Sequence, residues 1–180
     1  QELDHLLKAE QKAYSEASDA WKLAADRYQL VENSLEGTPQ ANQVRWLRGR
    51  ALVRAGEVFN GIEELHATIS EALQEQSTSD RAAELVLAAR AELAAAHYYG
   101  ARLLREEGRA ADVWRKVSET SRQQFRYLAE QTSNEKSADA SHNLQRNVER
   151  VLDLEQQDRS ELVGRPIPKD SPRARRPGDG

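Results

Sequence analysis

The chain contains no cysteine, which excludes disulfide staples and thiolate metal sites. Proline is almost missing from its body: Pro39 stands alone, and the other four prolines fall between residues 166 and 177. Aromatic residues make up only 6%. No apolar run approaches the roughly 20 residues of a membrane-spanning helix. Methionine is also absent, and Gln1 stands first. Removal of an N-terminal segment such as a signal peptide is the expectation this raises, with export to a periplasmic space slightly favoured over the cytoplasm.

Charge of one sign is not concentrated on the body. The formal net charge is −4 over 180 residues. Residues 164–180 carry Arg165, Lys169, Arg173, Arg175 and Arg176 against Asp170 and Asp179, a net of +3, which leaves −7 for residues 1–163. An acidic body argues against nucleic acid, because phosphate attraction needs a basic face. A tail of +3 is a weak tether for any anionic surface.

What remains is 38% hydrophobic and 31% charged residues in a chain rich in Ala, Leu, Glu, Arg and Gln. These are strong helix formers, so the expected class is all-α. Leu3, Leu6, Leu7, Ala13, Tyr14, Ala17, Trp21, Ala24, Tyr28, Val31 and Leu35 recur at three- and four-residue steps, one helical face. They imply one long helix, or two that meet near Ser15–Asp19. "EGTPQ" then supplies Gly37 for a left-handed end, Thr38 as N-cap and Pro39 for the first helical position. A second helix over 39–55 stops at Gly56, and a third runs over about 58–76. After "QSTSD", with Ser79 or Asp80 as cap, an alanine-rich fourth helix runs to Gly108. A fifth carries Val113, Trp114, Val117, Phe125 and Leu128. Thr132 and Glu135 have capping-box spacing. A sixth helix carries Leu144, Val148, Val151, Leu152 and Leu154 and extends to about Leu162. Residues 164–180 form a basic, proline-rich tail expected to be extended or disordered.

Set against itself at an offset of 52, the chain aligns Trp46 with Tyr98, Leu52 with Leu104, Gly56 with Gly108 and Leu65 with Val117. Each copy reads as a helix ending at a glycine followed closely by a second helix, the hairpin unit of an α-solenoid. Gly49 and Gly61 fall inside helices, where glycine costs roughly 1 kcal/mol relative to alanine. They are expected to be the points where two helices approach closely.

These residues resemble the tetratricopeptide repeat family. In "GRALVRAGEVFNGIEEL", Gly49, Leu52, Gly56, Gly61 and Leu65 follow one another at 3, 4, 5 and 4 residues. They match the small, large, turn, small and large positions of that repeat. The second copy keeps Ala101, Leu104 and Gly108 but places Val113 at the small position. The offset exceeds the family's period of about 34 residues, which implies lengthened helices. "AYSEASDAWKLAADRY" resembles the second helix of a preceding repeat, and "ASHNLQRNVERVLDLEQQ" a terminal capping helix. With the basic tail, that ending also looks like bacterial exported or membrane-associated repeat proteins. The resemblance implies a non-enzymatic scaffold that binds a partner protein or peptide on a concave surface lined by first helices. Arg45, Trp46, Arg48, His97 and Tyr98 are the expected contact residues, any buried one dropping out. His97 with Tyr98 and Tyr99 could line a ligand groove, but a core edge where a phenol reaches solvent is the favoured reading of that cluster.

Two other readings compete. Glu2–His5 and Glu63–His66 both show the Glu-x-x-His spacing of di-iron bundles, where each side chain projects inward. Their helical phase places them toward solvent, so no cofactor is expected. Arg50 and Arg54 could form a basic stripe for an acidic partner, or pair with glutamates on their own or a neighbouring helix, which their spacing favours. No nucleophile elbow or phosphate loop occurs. Oligomeric state is left open.

Overall fold

The computed structural model describes residues 2–75, 80–133 and 138–158, and among these it contains six helices and no strand. They are α1 (Glu2–Ser34), α2 (Pro39–Ala55), α3 (Val58–Glu75), α4 (Asp80–Glu106), α5 (Ala111–Ser133) and α6 (Ala138–Gln156). Each packs on its neighbours in chain order, and the contact pairs run antiparallel. Glu32 meets Arg45 while Ser18 meets Ala55; Gly49 meets Gly61 while Arg45 meets Glu71. The result is an all-α stack of helical hairpins closed by α6. None of these helices is long and apolar enough to cross a membrane.

α1 is one uninterrupted helix of 33 residues, with no break at Ser15–Asp19. Nothing in that stretch is a strong helix breaker, so the backbone hydrogen bonds simply continue. Thr38 has the extended backbone of an N-cap (φ −107°, ψ 151°), but its hydroxyl donates back to the Leu35 carbonyl at 2.6 Å and makes no cap to α2. Pro39 takes the first helical position as expected. The candidate cap Ser79, the Thr132–Glu135 box and the whole of residues 164–180 lie outside the described residues or side chains. α6 stops at Gln156, short of the expected Leu162.

The two hairpin corners are built alike. Gly56 (φ 92°) and Gly108 (φ 76°) both sit in the left-handed region that favours glycine. The N–H of Glu57 donates to Leu52 O and that of Gly56 to Val53 O; 52 residues on, Arg109 donates to Leu104 O and Gly108 to Arg105 O. Both are the paired bonds that satisfy the last carbonyls of a helix.

Beyond the corner the offset changes. α3 begins two residues after Gly56, whereas α5 begins three after Gly108. That extra residue rotates the second helix by about 100° against its sequence alignment. The buried positions of α3, namely Gly61, Leu65, Thr68 and Ala72, therefore correspond to Trp114, Ser118, Ser121 and Phe125 at an offset of 53. Val113, aligned with Gly61 by sequence, is 38% exposed. The second hairpin lacks a contact glycine on α5, and Ser121 ties α5 to α4 instead by donating to the Ala94 carbonyl at 2.8 Å.

The main core joins α2, α3 and α4 through Val53, Leu65, Ile69, Ala72, Val86, Ala89, Leu93 and Ala96, with Trp46, Ile62, Leu85 and Tyr99 packed at its edge. A second cluster of Ala94, Phe125, Leu128 and Val151 seats α6 over α4 and α5. The alanine-rich sequence of α4 is explained by this position: it has neighbours on several sides, and small side chains let them approach.

Candidate binding groove

α2 and α4 run in the same direction because α3 returns the chain between them. Both begin at one end of the stack, where α2 presents Pro39, Gln43 and Trp46 at steps of four and three. The first turns of α4 present Arg81, Ala82, Glu84, Leu85 and Ala88 opposite them. These eight residues line a cavity of about 210 Å³ open to solvent. Its lining combines the apolar Trp46, Leu85, Ala82 and Ala88 with the polar Gln43, Arg81 and Glu84. The Arg81 guanidinium donates to the Gln43 side-chain oxygen, bridging the two walls.

Trp46 and Leu85 both join this cavity to the core; the surroundings of Trp46 are the more unusual. Part of its ring packs on the main hydrophobic cluster. The Arg50 guanidinium carbon lies 5.9 Å from its ring centroid. Its indole Nε1–H is buried and has no hydrogen-bond acceptor among the described residues. An unmade hydrogen bond of this kind costs on the order of 1–3 kcal/mol.

The other expected contact residues are placed differently. Arg45 and Arg48 both turn inward, where they meet Glu32 on α1. Arg45 Nε donates to Glu32 at 2.7 Å and Arg48 Nη1 at 2.8 Å; their remaining nitrogens reach Glu71 and Glu64 on α3. Glu32 is only 8% exposed. The network thus clamps α1, α2 and α3 together. Burial works to lower the Arg45 pKa, but the hydrogen bonds to Glu32 and Glu71 outweigh it and hold the guanidinium above its ordinary value. Arg48 is accommodated on the inner side of α2 because Glu32 and Glu64 supply it with partners.

His97 is 8% exposed and points toward α3, where its ring meets His66 edge-on with centroids 5.7 Å apart. Tyr98 packs among the α5 and α6 side chains, and burial raises its phenol pKa. Neither lines the α2–α4 cavity, so that cavity brings together only Trp46 of the five expected residues. Arg50 and Arg54 converge on Glu92 of α4, at 3.0 and 3.7 Å, as the neighbouring-helix reading expects. Glu63 and His66 are both exposed, and no group of three or more carboxylates and imidazoles able to hold a metal occurs among the described residues.

Sequence reasoning missed Gln43, Arg81 and Leu85. The signal was present in part: Pro39, Gln43 and Trp46 share one helical face. Which turn of α4 lies opposite depends on the lengths of α3 and its following loop, which no local pattern specifies. No protein-family model, curated protein sequence or solved structure matches the chain.

Proposed function

We propose that this chain is a non-enzymatic helical-repeat scaffold of the tetratricopeptide type, and that it holds a segment of a partner protein in the groove between α2 and α4. The observation that carries this reading is the open cavity beside Trp46, with an apolar wall and a polar rim. Peptide grooves of this composition gain affinity from the apolar wall and orientation from a few polar groups. An extended segment offering a small apolar side chain to the wall and polar backbone groups to Gln43, Arg81 and Glu84 fits both. Arg45 and Arg48 serve in this reading as the frame that fixes α2, not as contacts.

The test is selection of displayed peptides against the full chain, followed by affinity measurement on Arg81→Glu and Leu85→Gln variants. Arg81 is exposed, so its change leaves the core intact. Selected peptides should bind the parent chain and lose about tenfold or more on either variant, the scale of one lost contact of roughly 1.4 kcal/mol. A failure to enrich any sequence, or peptides indifferent to both changes, would remove the assignment.

A further inference from the structure

Arg90 and His97 lie seven residues apart on one face of α4, and His66 of α3 meets the His97 ring edge-on, with centroids 5.7 Å apart. Arg90 is half-buried, and its Nε is enclosed without a hydrogen-bond partner. Its Nη1 donates to the Gln124 side-chain oxygen at 3.0 Å, and its guanidinium carbon lies 4.9 Å from the Tyr127 ring centroid. No carboxylate pairs with it among the described residues, whereas Arg45, Arg48, Arg50, Arg54, Arg102 and Arg122 each have one. A partly desolvated guanidinium without a counter-charge is costly, and the flat Tyr127 face recovers only part of the loss.

The two histidines extend this field. His66 stands at the solvent side, and His97 lies beneath it with Nδ1 2.9 Å from the Leu93 carbonyl. In the neutral ring that contact uses the one N–H, leaving Nε2 bare. Burial, then Arg90, lowers the His66 pKa; burial lowers that of His97, with His66 adding to the effect. The charged group acting on His66 is Arg90 from α4, and no acidic side chain among the described residues forms an ion pair with Arg90, His66 or His97.

We infer that Arg90, His66 and His97 form a binding site for a phosphate-type oxyanion, free or as the phosphoryl group of a larger molecule. Such an ion supplies the missing counter-charge, accepts from the guanidinium and converts the bare imidazole nitrogens into donors by drawing protons onto them. Binding is therefore coupled to proton uptake and strengthens as pH falls toward the histidine range. A transition metal on the same imidazoles is disfavoured, because Arg90 would repel it. The site is independent of the α2–α4 groove.

The experiment is proton NMR titration of the histidine ring signals in the full chain, with inorganic phosphate and, separately, O-phosphoserine, each matched in ionic strength by chloride. The expected result is that the His66 and His97 pKa values rise on adding either phosphate compound but not chloride, while His5 stays put. Affinity should be several-fold higher at about pH 6 than at about pH 7.5. Arg90→Gln should abolish the response, and Arg90→Lys should retain part of it. Tighter binding of O-phosphoserine would identify an esterified source, and equal or tighter binding of inorganic phosphate a free one. Equal shifts with chloride, shifts at His5 alone, or a full response in folded Arg90→Gln would overturn the proposal.

Discussion

Gly61 lies against the backbone of Gly49: a β-carbon on Gly61 would sit 2.8 Å from the Gly49 carbonyl oxygen and 2.5 Å from Val53 Cγ2. This is where α2 and α3 approach too closely for any side chain. A β-carbon on Gly49 would have looser neighbours, Leu65 Cγ at 3.0 Å, Glu64 Cβ at 3.2 Å and the Gly61 carbonyl oxygen at 3.3 Å, so a shift of a few tenths of an ångström would admit it. Overpacking of this sort costs about 1–3 kcal/mol, and alanine returns about 1 through helix propensity. Gly61→Ala should therefore destabilise the chain by about 1–2 kcal/mol, and Gly49→Ala by less than about 1. Urea denaturation midpoints check this; an equal or reversed order would contradict the close backbone contact.

The same two glycines show what the sequence could tell. Their cost inside a helix is visible without coordinates, so their role as a contact pair and the stop at Gly56 were both readable. The α5 register was not, because a single added residue between Gly108 and Ala111 turns every later position while leaving the hydrophobic pattern helical. The α2–α4 groove was half readable. Trp46 stands out in the sequence as a large aromatic of α2, but nothing local separates it from Arg45 and Arg48, because Glu32, thirteen and sixteen residues earlier, meets them only when α1 folds back on α2.

Glu32→Gln tests that clamp. The substitution keeps the shape but removes the charge that faces both guanidiniums. Arg45 and Arg48 retain 21% and 16% side-chain exposure, so water offsets part of the loss. The expected destabilisation is on the order of 2 kcal/mol, below the 3–5 kcal/mol of a fully enclosed pair. A double-mutant cycle with Arg48→Gln should return a coupling of about 1 kcal/mol or more. A coupling near zero would mean that the network follows the packing of α1 and does not help hold it.

Acid sensitivity follows from the histidines. His66 and His97 have folded-state pKa values lowered from the ordinary 6.5, chiefly by burial. A base with a lowered folded pKa takes up fewer protons when folded than when unfolded, so stability rises with pH across the gap. Their contribution is complete above 6.5 and is lost as pH falls below that value toward the lowered folded values. In phosphate-free buffer, His97→Gln should flatten the fall in unfolding free energy through this window relative to the parent chain. An unchanged pH slope would show that the buried imidazole is not part of the response.

α1 outruns its support. Ser18 donates to the carbonyl of Ala55, the last residue of α2, and Lys22 pairs with Glu57 at 3.1 Å just beyond it. Residues 2–17 therefore extend past the end of α2 by about 24 Å at the rise of an α-helix. No described side chain before Ala25 is buried, and Leu6 is 60% exposed. Helix here is an extension of a turn already nucleated farther on, with the Tyr14–Glu10 hydrogen bond of 3.2 Å as local help. Its amide hydrogens should exchange far faster than those of residues 25–34, which pack on α2. Removing residues 1–13 should change the unfolding free energy by less than about 0.5 kcal/mol, the range of ordinary surface changes. A loss of several kcal/mol, or slow exchange throughout residues 4–17, would mean that this segment is held by a neighbour, and light scattering on the same sample would show whether that neighbour is a second copy.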